Sequence, residues 1–310
     1  MDYTTILLVI MVIVISKYMY SNYQKHSESI QSHQHYKLVS EYLLNGKKTR
    51  GPMIWIHLPS EINARNWESF YSRTSTDVNQ PYLHLTLKSI VDKCENTCTI
   101  GIINDSSFEN LLPEWKVQLD HYASPEKDHY RQIGLCKILH HYGGMLIPSS
   151  FLCVKDLKPM YEYYVGTGMF IGETVNRTKE GSGYMPDVRF MGCKRHDPTM
   201  EKLILLLEGM KTDYTGERCI QGKVQDWCIG HVPNHIDGSY LGIKSMEGDP
   251  IGMSDLLESS FVPLRKDMWG IVIPAKDILE SKKYAWFARM STQQILRADL
   301  CISRYLLASY

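Results

Sequence analysis

The sequence predicts an α/β domain, a mostly parallel sheet flanked by helices, behind one hydrophobic N-terminal segment. Three observations predict it. Two short apolar runs, Met53 to Leu58 (MIWIHL) and Thr99 to Ile103 (TIGII), enclose an amphipathic stretch. Strand, helix, strand in that order is the signature of a parallel βαβ unit. A second helical stretch, Glu126 to Tyr142, ends at Gly143-Gly144 and leads into a third short strand, Met145 to Ile147. The third observation is the run YTTILLVIMVIVISKYMY at residues 3–20.

That run has an uninterrupted apolar centre from Ile6 to Ile15, shorter than the roughly 20 residues of a typical span. Lys17 can snorkel, and Tyr18 and Tyr20 suit a lipid interface. A cleaved leader would want a basic start and a small-x-small cleavage site, and this chain begins Met-Asp-Tyr and has neither. A retained membrane anchor over residues 4–20 is the expectation, with the lipid bilayer as its partner. Lys17, Lys25, Lys37, Lys47, Lys48 and Arg50 follow the segment and no basic residue precedes it. The positive-inside tendency then puts the C-terminal domain on the cytoplasmic side of a single-pass protein. The sequons Asn104-Asp105-Ser106 and Asn176-Arg177-Thr178 matter only for a lumenal domain.

Residues 21–50 are polar and read as a stalk, and residues 51–310 form the domain. About 260 residues are enough for one large core. Lys+Arg and Asp+Glu both number 34, so electrostatics gives no reason to expect a nucleic-acid partner. The 8 cysteines form no CxxC pair, and most lie in apolar runs, where they read as buried free thiols.

Along the domain, Asn79-Gln80-Pro81 opens a helix with Pro in its first turn. Leu83, Leu87, Ile90, Val91 and Cys94 share one face of it. Further strands are expected at Met169 to Gly172 and Val188 to Gly192. An apolar helix is expected over Thr199 to Met210, and a last helix capped by Ser291 runs through Leu307. Asp105, just past the second strand, is a candidate for contacting a nucleotide, since parallel sheets bind ligands at the carboxyl ends of their strands. The competing reading is that Asn-Asp-Ser-Ser only caps the next turn.

The segment Gln132 to Pro159, QIGLCKILHHYGGMLIPSSFLCVKDLKP, carries a family resemblance. With its Tyr142-Gly143-Gly144 end, the following strand and Leu157-Lys158-Pro159, it resembles the DXD-type glycosyltransferases with the mannosyltransferase-like sugar-binding region. Ile54-Trp55-Ile56-His57 resembles that family's first strand. Phe190-Met191-Gly192 with His196-Asp197-Pro198 resembles its later strand and turn. The resemblance covers roughly Met53 to Met210. It implies a GT-A fold, a nucleotide sugar or glycan as ligand, and His57, Asp105, Arg131, Tyr142, Gly143 and Gly144 as candidate binding residues. It also implies Mn²⁺ or Mg²⁺ on an Asp-x-Asp pair, acting as a Lewis acid on the leaving diphosphate.

The departures from the family pattern are as informative. Alignment on Gly143-Gly144 puts Pro148, Ser149 and Ser150 at the Asp-x-Asp position. Gln132 and Leu135 stand where the family's helix carries Asp and Arg. Asp128 and Arg131 keep the Asp-x-x-Arg spacing one helical turn earlier, a shift of about 6 Å. Serine hydroxyls and proline cannot replace a carboxylate pair around a hard cation. Losing that charge stabilisation costs about a thousandfold or more in rate. The expectation is a degenerate, non-catalytic binding or structural module with no metal. It is similar to transferase-like proteins of large DNA viruses, which implies a place at a virion inner membrane beside a capsid or another membrane-associated protein.

The alternative is an active, metal-independent transferase. Arg131, Lys137 or Lys155 would replace the ion, and Asp105, Asp187 and Asp156 are the carboxylates to test. An unrelated α/β protein is the third reading. His231, His235 and Asp237 read as surface groups because Pro233 separates the histidines. His140 and His141 are expected to point to different sides of their helix. Gly166-Thr-Gly168 and Gly181-Ser-Gly183 fit no phosphate-loop pattern.

Overall fold

The computed structural model describes residues 50–59, 80–176, 183–210, 217–260 and 262–309, together with Lys17, Met19 and Leu43. The chain divides into two units, Met1–Lys48 and Thr49–Tyr310, and the second is the α/β domain. The expected anchor and stalk lie outside the described residues apart from Lys17 and Met19, both helical, and Leu43 and Arg50. The same holds for Gly181. Among the described residues no helix is long and apolar enough to cross a membrane.

The strands are β1 (Met53–His57), β2 (Thr99–Ile103), β3 (Gly144–Leu146), β4 (Phe151–Cys153), β5 (Phe170–Asn176), β6 (Gly183–Cys193), β7 (Asn234–Ile236) and β8 (Gly270–Val272). The helices are α1 (Pro81–Cys94), α2 (Ser107–Leu111), α3 (Glu126–Tyr142), α4 (Lys158–Val165), α5 (Pro198–Gly209), α6 (Glu217–His231), α7 (Met253–Leu257), α8 (Ala275–Glu280), α9 (Thr292–Arg297) and α10 (Cys301–Ser309). Six strands form a mixed sheet in the order β2-β1-β3-β6-β5-β7. β1 pairs in parallel with β2 and β3, and β5 with β7. β6 alone runs against its neighbours. β4 and β8 form a separate antiparallel pair. The domain is therefore α/β with a mostly parallel mixed sheet flanked by helices.

The expected amphipathic face of α1 is only part of its burial. Tyr82, Leu83 and Leu85 pack into one cluster with Leu152, Phe287 and Ile302. Ile90 and Cys94 pack into another with Ile54, Ile56, Met145 and Phe170. The helix is sandwiched between the central sheet and a C-terminal helical layer, so two of its sides are apolar. A single-stripe pattern cannot reveal the second.

The C-terminal helix is broken where one continuous helix was expected. Ser291 does cap, accepting from the Gln294 N–H while Gln294 Oε1 accepts from the Ser291 N–H. The helix stops at Arg297, because Ala298 is extended (ψ 141°) and Cys301 turns its N–H to Glu258 O at 2.8 Å. α10 then starts afresh and buries Ile302 and Leu306 in the helical layer.

The topology determines where a ligand crevice forms. The chain leaves β1 to one side to build β2, then crosses back over β1 to build β3. Strand order reverses at β1, so its carboxyl end is a topological switch point, where open α/β sheets bind ligands.

Candidate functional site

Three side chains meet at that edge. His57 is the last residue of β1, Asp105 lies two residues past β2, and Arg131 stands in the second turn of α3. The His57 Nε2–H donates to Asp105 Oδ1 at 2.9 Å. Arg131 holds the same carboxylate at two points, Nε to Oδ1 at 2.9 Å and Nη2 to Oδ2 at 2.6 Å. Its Nη1 donates to Asp128 Oδ1 at 2.8 Å. Asp128 in turn accepts a short bond from Ser124. The Phe108 ring stacks on the His57 imidazole at 5.7 Å.

Local chemistry frees Asp105 for this role. Asn104 Oδ1 accepts from the Ser106 hydroxyl and from the Ser107 N–H and hydroxyl, and so closes the turn that leads into α2. As the competing reading expected, the segment closes the turn before α2, and within it the Asn104 side chain makes those bonds. Burial opposes charge on Asp105. The His57 hydrogen bond and the Arg131 guanidinium outweigh it and hold the carboxyl well below the ordinary range.

The other expected binding residues lie at the opposite edge. α3 is 17 residues long, and Tyr142 sits about 16 Å along its axis from Arg131. Tyr142 Oη donates to Leu111 O at 2.6 Å, and Gly143 O accepts the Trp55 indole N–H at 2.9 Å. Gly143 (φ 70°) and Gly144 (φ 98°) are left-handed, and a Cβ on Gly144 would stand 2.2 Å from Met53 O. Met53 begins β1, so the twin glycines belong to the amino ends of the parallel strands. They allow α3 to drop into β3 beside β1. The structure does not bring Tyr142, Gly143 or Gly144 together with Asp105.

Pro148, Ser149 and Ser150 follow the carboxyl end of β3, and two of their carbonyls and the Ser150 hydroxyl are engaged within the fold. Pro148 O accepts from the Phe151 N–H at 3.0 Å, and Ser149 O from Thr86 Oγ1 at 2.6 Å. The Ser150 hydroxyl is buried and donates to Ile273 O at 2.7 Å. This donor set does not fit Mn²⁺ or Mg²⁺. It offers no carboxylate, and its buried hydroxyl is already spent on a backbone carbonyl.

The remaining candidates are scattered. Asp187 on β6 is buried and gripped by Arg189, two residues along the same strand, with Nη2 at 2.8 Å from Oδ2. Asp156 accepts from the Lys158 N–H at 3.0 Å and from Thr97 Oγ1 at 2.8 Å, which makes it a structural anchor for the start of α4. Lys137 pairs with Glu208 at 2.6 Å, and Lys155 donates to Lys266 O at 3.3 Å, so neither joins Arg131. His231 stacks on Trp227 at 4.5 Å, His235 bonds Val232 O at 3.1 Å, and Asp237 pairs with Lys244 at 2.7 Å.

His140 and His141 do not diverge as expected. Their rings lie 5.6 Å apart, and His196 stands 5.2 Å and 6.4 Å from them. The His196 N–H donates to His140 O at 2.8 Å, so the turn after β6 folds back on the end of α3. A contact across 56 positions of sequence had no local signal. Among the described residues no group of three His, Cys, Asp or Glu is placed to hold a metal ion.

The fold and site define an α/β protein with a charged, hydrogen-bonded cluster at a switch point. No protein-family model matches the chain, and no curated protein matches it significantly.

Proposed function

We propose that the domain is a degenerate, glycosyltransferase-like module that binds a nucleotide sugar or glycan at the carboxyl edge of its sheet and does not carry out metal-dependent transfer. In this reading residues 4–20 tether it to a membrane. The observation that carries the proposal is the state of the polar groups at that edge. Both oxygens of Asp105 are engaged by Arg131 and His57, and the Ser150 hydroxyl is buried against Ile273 O. Recruiting Asp105 to a cation would strip Arg131 of its main partner in a nearly buried setting, at a cost of about 3 kcal/mol or more. The same edge places an imidazole and a guanidinium at the switch point, and an oxygen-rich ligand would bind there by sharing or exchanging their bonds to Asp105 and Asp128.

The test is titration of the full-length protein with UDP- and GDP-sugars, with and without Mn²⁺, read by calorimetry and by release of free sugar. The expected result is binding that Mn²⁺ does not strengthen, with no release. Manganese-dependent hydrolysis or transfer overturns the proposal.

A further inference from the structure

The C-terminal helical layer carries a cationic face built around one indole. Between α8 and α9 the chain reads SKKYAWFAR at residues 281–289. Its backbone coils tightly. The Tyr284 N–H donates to Ser281 O at 3.1 Å, the Phe287 N–H to Tyr284 O at 3.0 Å, and the Arg289 N–H to Trp286 O at 3.1 Å. Bonds of three-residue reach bring side chains three apart onto one side. Lys283, Trp286 and Arg289 are spaced in this way, and Lys282 lies four residues before Trp286. The other side holds the segment down. Phe287 and Ala288 are buried in one cluster with Ile278 and Ile295, and Tyr284 packs against it.

The outward side combines charge with an aromatic ring. Lys282, Lys283 and Arg289 are exposed, and Trp286 is 43 % exposed. Among the described residues no carboxylate pairs with any of the three cations. Glu280, the nearest acid in sequence, lies 3.9 Å from Lys276. Lys283 rests over the Tyr284 ring at 5.1 Å, a contact that leaves its charge intact. Three uncompensated positive charges thus surround an exposed indole, in a chain whose formal net charge is zero.

We infer that this face docks on an anionic lipid surface. An indole is apolar with one polar N–H, and it settles at the headgroup level of a bilayer. Each Lys or Arg beside an anionic leaflet is worth about fivefold in partitioning, so three supply about a hundredfold. Single-stranded nucleic acid fits less well, because it takes a row of stacking rings along a basic groove and this face offers one exposed ring. In the reading above, residues 4–20 hold a bilayer within reach, since the thirty residues 21–50 extend to about 100 Å at most. That tether raises the local concentration of lipid. The face recognises lipid by its own charge and ring, and stands without the tether.

The experiment mixes the full-length protein with vesicles of phosphatidylcholine alone or with phosphatidylserine added. Both kinds carry brominated phosphatidylcholine, which quenches an indole that enters the headgroup–acyl boundary. The Trp286 signal is the difference between the wild type and Trp286→Phe. It should be quenched at least about twofold more strongly in the anionic vesicles, and high salt should relieve the quench. The exposed triple change Lys282→Gln, Lys283→Gln, Arg289→Gln should reduce it to the level of neutral vesicles. Sedimentation with neutral vesicles reads the anchor separately. Protein that stays in that supernatant, yet shows Trp286 quenching with anionic vesicles, has lost the tether reading and kept this one. No Trp286-dependent quench in anionic vesicles, an equal quench in neutral ones, or a quench that survives the triple change overturns the inference. If Trp286 stays unquenched and a single-stranded oligonucleotide binds instead, with loss in the triple variant, the face belongs to nucleic acid and the inference falls.

Discussion

Arg131 grips Asp105 across 26 residues of chain, with Nε at 2.9 Å from one oxygen and Nη2 at 2.6 Å from the other. The side chains are only 10 % and 14 % exposed. Removing one partner from such a pair strands the other charge. Asp105→Asn should therefore destabilise the domain by about 3 kcal/mol in urea unfolding at pH 7. Arg131→Met should cost a similar amount, and the double variant less than the sum of the two. A loss under about 0.5 kcal/mol in each single variant would mean the pair is no more than a surface contact.

The same pair sets an acid dependence. The folded carboxyl titrates below the unfolded one, because the His57 bond and Arg131 together outweigh the effect of burial. Its stabilisation is fully present above the unfolded value of about 3.9 and is lost as pH falls through the folded value. The stability gap between the wild type and Asp105→Asn should hold steady from pH 7 to pH 5. It should begin to close only below about pH 4. Denaturation curves at stepped pH give the gap directly, and closure already at pH 6 would assign it to another group.

How far the sequence revealed this arrangement depended on the range of each signal. Thr99–Ile103 and Glu126–Tyr142 were legible to the residue, because apolar runs and glycine ends are local. The place of Asp105 at the carboxyl edge of the sheet was legible from strand-end logic alone. Its fork with Arg131 was not, because spacing along α3 does not say which residue the helix turn aims at a neighbouring strand. The twin glycines misled for a related reason. Their positive φ serves a backbone approach to Met53, and a motif that carries structure looks the same in sequence as one that carries a ligand.

Gly144→Ala tests that structural assignment. The added Cβ would sit 2.2 Å from Met53 O at φ 98°, so backbone has to move between β1 and β3. A loss of about 3 kcal/mol or more, or insoluble expression, is expected. Unchanged stability together with lost ligand affinity would return the glycines to a binding role.

Installing an acidic pair at positions 149 and 150 should not create a metal site. In a Ser149→Asp, Ser150→Asp variant, the second carboxylate enters a pocket where Ser150 now donates to Ile273 O. A carboxylate cannot donate to that carbonyl, and the site is buried. The expected result is a loss of about 3 kcal/mol or more, with no gain in Mn²⁺ affinity by calorimetry. Tight manganese binding in a folded variant would show that only the two side chains separate this domain from a metal-dependent one.

The histidines at the far end of α3 predict a second, milder acid effect. Burial pushes His140 below its ordinary pKa, although Glu201 and Asp197 pull the other way, and burial does the same to His129. A histidine depressed in the folded state favours the neutral form. Its contribution is therefore complete above the unfolded value of about 6.5 and is lost as pH falls below it. Protonating His140 would also place a cation 5.2 Å, ring to ring, from His196, with Arg195 already beside it. The unfolding midpoint should fall between pH 7.5 and pH 5.5, and His140→Gln should flatten that slope while leaving the Asp105 transition at lower pH in place. If His140→Gln leaves the slope unchanged, the loss between those pH values belongs to His129, and His129→Gln should remove it instead.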